Sequence, residues 1–375
     1  MSDLFFYGTL RHLPLLALVL DRAEDALAPL TARLDGYACR AVTGHNFPMI
    51  EAQPGAAASG LLLRDLSDED VARLAFYEGG FAFELRPLTV TTETGPAEAR
   101  VFFPLGETWQ AGAPWSLEGW QRDWGEITLL AAEEVMARYG HQSPEAVQAL
   151  WPFFCARGWA RILARDTAPQ TLRASFRAED MQRFETRYPF NGFFRMAEFD
   201  LQYPHFAGGT SDRITRESFI AFDAALVLPY DPATDQVLLI EQLRYGPLCR
   251  GDAAPWVLEP VAGLVEAGED PAECVIREAR EEAHIELSAV ERMTRVYASP
   301  GYSTEFFHCY LGICDLEGRG MRLAGLDAEN EDIRAHVLSF DDAMALFDSG
   351  EINAGPLAMM LLWLARARPG LRGAA

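Results

Sequence analysis

The segment EPVAGLVEAGEDPAECVIREAREEAHIEL, residues 259–287, restricts the fold of this chain more than any other stretch. Its apolar start reads as a strand that ends near Gly263, and a turn at Gly268 follows. Asp270 is a natural N-cap, and Pro271 takes the first helical position. The spacing therefore predicts a strand, a turn and then a helix from Pro271 to about residue 283.

The predicted helix concentrates carboxylates on one face. Glu278 and Glu282 are four residues apart, and Glu281 lies beside them. Like charges at this spacing destabilise a bare helix, whereas Mg²⁺ prefers carboxylate oxygens as ligands. Most acidic runs are solvated helix faces, but the strand and the turn that precede this helix favour a metal-binding unit.

In their order, these residues resemble the Nudix box, Gly-x5-Glu-x7-Arg-Glu-U-x-Glu-Glu-x-Gly-U, in which U is apolar. The matching positions are Gly263, Glu269, Arg277, Glu278, Ala279, Glu281, Glu282 and Ile285. The one departure is His284, where the motif has Gly for a left-handed helix end. This departure concerns the loop after the helix, and it leaves the carboxylates in place.

The resemblance extends over residues 186–375 and narrows to the ADP-ribose diphosphatase branch of that family. It is carried by LLIEQLRYG, PWVLEPVAGL, ASPGYSTE and GLDAENEDIRAHV. It implies hydrolysis of ADP-ribose, or of a close ADP-sugar, to AMP and ribose 5-phosphate with Mg²⁺, for which Mn²⁺ is a candidate substitute. A Nudix enzyme for another nucleoside diphosphate derivative is one alternative, and a module that senses ADP-ribose without turnover is another.

The resemblance also implies roles for acidic residues. The implied metal ligands are three carboxylates and one main-chain carbonyl: Glu278, Glu282, Glu331 and Ala262. Glu281 would lie close to the metals. The general base would come from the acidic loop 327–332, as Glu329 by family position or as Glu331.

Arginines complete the implied site. Arg277 would orient the catalytic loop through Glu269, while Arg244 and Arg216 would contact the substrate. The family forms homodimers in which part of the pocket comes from the other subunit. Arginine suits phosphate and carboxylate contacts because its guanidinium forms paired hydrogen bonds.

The composition narrows the class of ligand and the compartment. There are 55 acidic and 32 basic residues, which gives a net charge of −23, so binding to nucleic acid or to an anionic membrane surface is disfavoured. All the basic residues are Arg, and the absence of Lys excludes Schiff-base chemistry and Ser–Lys dyads. The six scattered cysteines contain no CxxC pair, which is typical of a reducing compartment. The composition therefore predicts a cytoplasmic protein, and it is the Nudix resemblance that implies a small nucleoside diphosphate sugar as its substrate.

The N-terminal region contains a second resemblance. LFFYGTLRH (4–12) predicts a strand that enters a glycine turn, and Glu78 follows a short predicted helix, 68–76. Both segments resemble the gamma-glutamyl cyclotransferase-like superfamily, and the matching positions are Tyr7, Gly8, Thr9, Leu10 and Glu78. The resemblance implies that the loop holds a glutamyl carboxylate and that Glu78 accepts a proton from the substrate α-amine. An adaptor that keeps the pocket without turnover is the alternative.

Together these features predict a mixed α+β and α/β protein in three parts. Residues 1–110 would form a small gamma-glutamyl cyclotransferase-like barrel, and 111–185 a Trp-rich helical connector. Residues 186–375 would form a Nudix α/β/α sandwich with a mixed sheet. Within the connector, Ser143 is the expected N-cap of a helix that Pro152 should kink or split.

Overall fold

The computed structural model describes residues 1–79, 81–106, 108–325 and 331–373. They fall into two compact units, residues 1–166 and the chain from Thr167 onward. Within the described ranges, no helix is both long enough and apolar enough to cross a membrane.

The first unit is built on a closed barrel. Its strands are β1 (Ser2–Phe6), β2 (Leu30–Val42), β3 (Pro48–Leu66), β4 (Phe83–Thr92), β5 (Gly95–Pro104) and β6 (Ala111–Pro114). The order is β3-β1-β5-β4-β2, and pairing of β2 with β3 closes the ring, while β6 adds to β2. Alternate residues point inward, so Phe5, Ile50 and Val101 meet in the barrel core. The predicted small barrel is confirmed.

Helices pack on this barrel. They are α1 (Leu13–Leu20), α2 (Asp68–Gly79), α3 (Leu117–Trp120), α4 (Glu126–Met136), α5 (Pro144–Gln148) and α6 (Trp151–Leu163). The Ser143 side chain caps α5 as expected, and the chain breaks before α6, which has Pro152 in its first turn. Helices α4 and α5 contact α2. The helices of the predicted connector are thus part of the first unit, and the three-part division stays a prediction.

A buried ion pair joins α4 to α6. The Arg157 guanidinium donates two hydrogen bonds of 2.9 Å to the carboxylate of Glu134. Arg138 lies 3.6 Å from the same carboxylate and stacks over the ring of Phe154. The side chains of Arg138 and Arg157 are 1% and 2% exposed. Glu134 therefore compensates positive charge that these two guanidiniums carry into the interior.

The second unit contains two sheets. Its strands are β7 (Gln182–Asn191), β8 (Arg195–Gln202), β9 (Ile214–Ile220), β10 (Asp223–Asp231), β11 (Gln236–Leu243), β12 (Trp256–Glu259), β13 (Val261–Leu264), β14 (Ala289–Tyr297), β15 (Phe306–Ile313), β16 (Arg322–Ala324) and β17 (Ile333–Ser339). Strands β7-β8-β9 form an antiparallel sheet. The larger, mixed sheet has the order β14-β15-β10-β11-β17-β16, with β12 paired to β11 and β13 to β10.

Helices cover the mixed sheet. They are α7 (Tyr245–Arg250), α8 (Pro271–Ala283), α9 (Phe340–Ser349) and α10 (Gly355–Gly373). Leu226 and Leu228 of β10 belong to one core cluster with residues of α9 and α10. The intervening Val227 is fully buried and points to the other face, and α8 also contacts β10 and β13. The sheet therefore lies between helical layers, which confirms the predicted sandwich.

Replacing Glu134 by Ala should destabilise the first unit strongly. Without this carboxylate, the buried Arg157 loses two charged hydrogen bonds and Arg138 loses a nearby opposite charge, which costs about 3–5 kcal/mol of unfolding free energy. Urea unfolding followed by tryptophan fluorescence measures this, because six of the eight tryptophans lie before residue 166. Glu133→Ala is the control, since Glu133 pairs with Arg161 in solvent and should contribute at most about 1 kcal/mol. Equal losses in the two variants would contradict the prediction.

Candidate active site

Helix α8 has the predicted bounds. The Asp270 side chain accepts a hydrogen bond of 2.7 Å from the Ala272 amide and so caps the first turn. The helix ends at His284, which has a left-handed conformation with φ 53° and ψ 42°. His284 thus adopts the conformation for which the Nudix motif has Gly. The departure from the motif therefore leaves the helix end unchanged.

The inner face of α8 carries the two central carboxylates. Glu278 and Glu282 are 9% and 3% exposed, and they share the buried side of the helix with Val275 and Ala279. Burial raises the pKa of Glu278 to about 7, against the opposing charge of Arg277. Burial raises the pKa of Glu282 to about 8. The charge of Glu278 also raises the pKa of Glu282, and the charges of Glu281 and Glu331 raise that of Glu278, so the site favours a bound cation over free negative charges.

Strand β13 passes directly against these carboxylates. The Ala262 amide donates a hydrogen bond of 3.0 Å to Oε2 of Glu282. A Cβ at Gly263 would lie 1.8 Å from Oε1 of Glu278, so no larger residue fits without moving that carboxylate. The glycine of the motif is therefore required here by close approach.

Arg277 connects the helix to the loop before it. Its guanidinium donates to both carboxylate oxygens of Glu269, at 3.0 and 3.1 Å. It also donates to Glu278 at 2.6 Å and to Glu281 at 3.0 Å. Glu269 in turn accepts a hydrogen bond from the Glu266 amide, which fixes the loop. One arginine thus orients the loop and neutralises part of the acidic cluster.

Arg244 contributes a second positive charge near the acidic helix. Its Nε donates a hydrogen bond of 2.6 Å to Glu259, and its charge lowers the pKa of Glu282. The charge of Glu331 acts on both Glu278 and Glu282 in the opposite direction, so Glu331 lies near them. Glu329 lies outside the described residues.

Arg216 is not brought to the acidic helix by this chain. It lies exposed on β9, in the three-stranded sheet, and donates to the Thr215 carbonyl oxygen at 2.8 Å. Within one chain, Arg216 therefore lies in the three-stranded sheet, whereas α8 packs against the mixed sheet.

The acidic site fits a divalent cation, although the fit depends on more than side chains. Within the described ranges, no three His, Cys, Asp or Glu side chains are grouped so that they could hold a metal ion. Glu278 and Glu282 are nevertheless two buried carboxylates whose pKa values are raised by burial and by neighbouring carboxylates, which is the charge pattern that a hard cation would relieve. The pair alone supplies part of a coordination shell, and main-chain oxygen, water or substrate would supply the rest.

The first unit contains a separate pocket. It is lined by the loop Tyr7–Leu10 that follows β1, and by Glu78 at the end of α2. Burial raises the pKa of Glu78 to about 7. The structure thus brings together all five positions of the N-terminal resemblance, although they are about 70 residues apart in the chain.

Sequence reasoning missed the aromatic part of that pocket. Phe47, Phe81 and two residues of the helical region, Trp120 and Trp151, also line it. The tryptophan-rich composition of the region was the only signal, and it does not identify which rings face a pocket.

Comparisons with known proteins agree with this arrangement. The family model of the NUDIX domain matches residues 221–358, and that of gamma-glutamyl cyclotransferase, AIG2-like, matches residues 4–122. An ADP-ribose pyrophosphatase of Haemophilus influenzae is 35% identical over 191 residues, which cover 50% of this chain and 88% of that protein. An ADP-ribose pyrophosphatase of Escherichia coli strain K12 is 34% identical over 196 residues, covering 52% and 93%. A GDP-mannose pyrophosphatase of Shigella flexneri is 31% identical over 152 residues, covering 40% and 78%.

The chain belongs to the Nudix hydrolase family and carries a gamma-glutamyl cyclotransferase-like domain at its N-terminus. It is therefore a hydrolase of nucleoside diphosphate derivatives, of the kind that generally needs divalent metal ions.

Replacing Gly263 by Ala should weaken divalent metal binding. The added Cβ would displace the Glu278 carboxylate, so we expect a loss of roughly 10- to 100-fold in affinity. Titration with Mn²⁺ followed by electron paramagnetic resonance measures this directly. Gly320→Ala is the matched control, because its Cβ would meet open space. Unchanged Mn²⁺ affinity in Gly263→Ala would refute the role given to this contact.

Proposed function

We propose that the second unit hydrolyses the diphosphate of ADP-ribose, or of a close ADP-sugar, to AMP and ribose 5-phosphate. The observation that carries the proposal is the buried pair Glu278 and Glu282, which packs against β13. Both residues occupy positions of the Nudix box. The similarity to proteins named ADP-ribose pyrophosphatase supports the choice of substrate.

Mg²⁺ is the proposed metal, and Mn²⁺ is a candidate substitute. Glu278, Glu282 and the main-chain carbonyl of Ala262 would hold it, with Glu331 as a further ligand. When bound, such cations neutralise the diphosphate and lower the pKa of an attacking water. The raised pKa values of the two buried carboxylates support this assignment, since a cation would stabilise their charged forms.

The other residues have distinct proposed roles. A carboxylate of the loop 327–332, Glu329 or Glu331, would accept the proton of the attacking water. Glu281 would stay beside the metals through its bond to Arg277, which also holds the loop through Glu269. Arg244 would contact the substrate phosphates, because its side chain is 42% exposed while its Nε binds Glu259.

Two alternative functions would use the same site. The first is hydrolysis of another nucleoside diphosphate sugar, which the similarity to a GDP-mannose pyrophosphatase supports. A sensor that binds without turnover is less favoured, because binding alone does not require two buried carboxylates beside a proton acceptor.

For the first unit, we propose a gamma-glutamyl cyclotransferase-like activity. The loop Tyr7–Leu10 and Glu78 line one pocket, which supports it. The α-amine nitrogen of a γ-glutamyl amide would attack its own γ-carbonyl carbon, and the bond to the departing amine would break. Glu78 would take the proton from the attacking nitrogen and return it to that amine, so that 5-oxoproline and the free amine result. The alternative is an adaptor that binds and does not turn over.

We also propose that the chain is a homodimer that works in the cytoplasm. The three-stranded sheet and the turn between β7 and β8 expose five aromatic rings: Phe184, Tyr188, Phe190, Phe193 and Phe194. Pairing with a second copy would cover them, and it would give Arg216 of β9 a route to the other copy's substrate.

Light scattering at micromolar concentration should give the mass of two 41.6 kDa chains, about 83 kDa. Phe190→Asp should shift the mass toward that of one chain, because it places a charge on the proposed interface. Glu286→Gln is a control, since this side chain is exposed and pairs with Arg280 on α8. A stable monomer of the wild type would refute the dimer.

Incubation with ADP-ribose, Mg²⁺ and isotope-labelled water, followed by mass spectrometry, tests the main proposal. We expect AMP and ribose 5-phosphate, with label in one of them, and no product in excess EDTA until Mg²⁺ is restored. Faster cleavage of GDP-mannose would favour the first alternative. Binding of ADP-ribose without any product would favour the sensor.

Glu282→Gln should slow this hydrolysis by orders of magnitude, roughly 3–6 kcal/mol of barrier, because it removes a charge that the cation needs. Glu78→Gln lies in the other unit and should leave the rate within about twofold. A large loss on changing Glu78, with folding intact, would mean that the two units form one active site.

A further inference from the structure

The pocket of the first unit is lined by two chemically different groups of residues. One group is polar and includes the loop Tyr7–Leu10 and the Glu78 carboxyl. The other consists of aromatic rings, three of which we call the aromatic wall: Phe47, Phe81 and Trp151. A ligand that fills the whole pocket must therefore match both groups.

The rings of the aromatic wall are in mutual contact. The ring centre of Phe81 lies 5.2 Å from that of Phe47 and 5.2 Å from that of Trp151. The ring planes meet at 60° and 84°, which is the edge-to-face packing that aromatic pairs favour. Phe81 is 8% exposed, while Phe47 and Trp151 are partly exposed. The wall is thus a fixed surface with two rings that a ligand can cover.

Trp151 comes from outside the matched domain. The gamma-glutamyl cyclotransferase model ends at residue 122, whereas Trp151 begins α6. The next turns of α6 carry Phe154 and Arg157, which are held by the buried pair with Glu134 and by stacking of Arg138. The ion pair between α4 and α6 therefore fixes the position of Trp151 at the pocket.

The charges of the lining residues disfavour a charged group on the part of the ligand that meets the aromatic wall. Among its lining residues in the described ranges, Glu78 is the only side chain with a formal charge. A carboxylate placed against Phe47 and Trp151 would lose water and meet no cationic side chain among these lining residues, which is unfavourable. An uncharged apolar group would instead gain by covering the rings.

We propose that the pocket takes γ-glutamyl amides of bulky apolar amines, with the amine group against the aromatic wall, and that Trp151 sets this preference. The proposal rests on the glutamyl function proposed for the first unit, and it adds the class of the departing amine. It applies whether the first unit is an enzyme or an adaptor, since the preference for one amine over another depends on binding in both cases.

The test uses three ligands with the full-length protein: γ-glutamylbenzylamide, γ-glutamylmethylamide and γ-glutamylglycine. Calorimetry gives the affinities if no 5-oxoproline forms, and kcat/KM for its release gives the preference if it does. We expect at least a tenfold preference for the benzylamide over the other two. Trp151→Ala should reduce that preference about five- to tenfold, while Trp151→Phe should retain most of it.

Trp124→Ala is the matched control, because Trp124 belongs to the same helical region and is not among the lining residues. It should leave all three ligands unchanged, and circular dichroism checks that each variant is folded. The role of the aromatic wall would be overturned if the wild type showed equal affinity or equal kcat/KM for the three ligands, or if Trp151→Ala kept the same preference. In either case the glutamyl function would stand. If no ligand is bound or cleaved, the glutamyl function itself fails, and the inference with it.

Discussion

The contact between β13 and α8 is the interaction on which the rest of the second unit's chemistry depends. Two acidic side chains can be buried side by side there because the strand presents an amide to one of them and a glycine to the other. A side chain at Gly263 would push Glu278 away, and without the Ala262 amide Glu282 would lose a hydrogen bond that favours its charged form. The site is therefore a property of backbone approach as much as of acidic residues.

Capping residues and residue spacing in the sequence predicted those structural features that depend on residues close together in the chain. Asp270, Pro271 and the carboxylate spacing defined α8, and the left-handed conformation at His284 followed from the helix end that the motif implies. The aromatic wall was not predictable, because it depends on packing between α6 and residues about 70 to 100 positions earlier. Arg216 illustrates the same limit, since the structure places it exposed on the three-stranded sheet, which its position in the sequence did not predict.

The two units solve the problem of a buried carboxyl in different ways. In the second unit, Arg277 donates a hydrogen bond to Glu278 and the charge of Arg244 lowers the pKa of Glu282, so positive charges lie near both carboxylates. In the first unit, burial alone raises the pKa of Glu78, and aromatic rings replace charges around it. The first arrangement suits a doubly negative diphosphate, and the second suits an amine whose proton is to be moved.

The buried ion pair between α4 and α6 bears on where the N-terminal unit can be cut. A fragment that ends where the family resemblance ends would keep the barrel, the loop after β1 and Glu78. It would lose the helix that supplies Trp151, so its pocket would be open on one side and its rings would face water. Experiments on the isolated N-terminal unit therefore need the chain to about Asp166, where the compact unit itself ends.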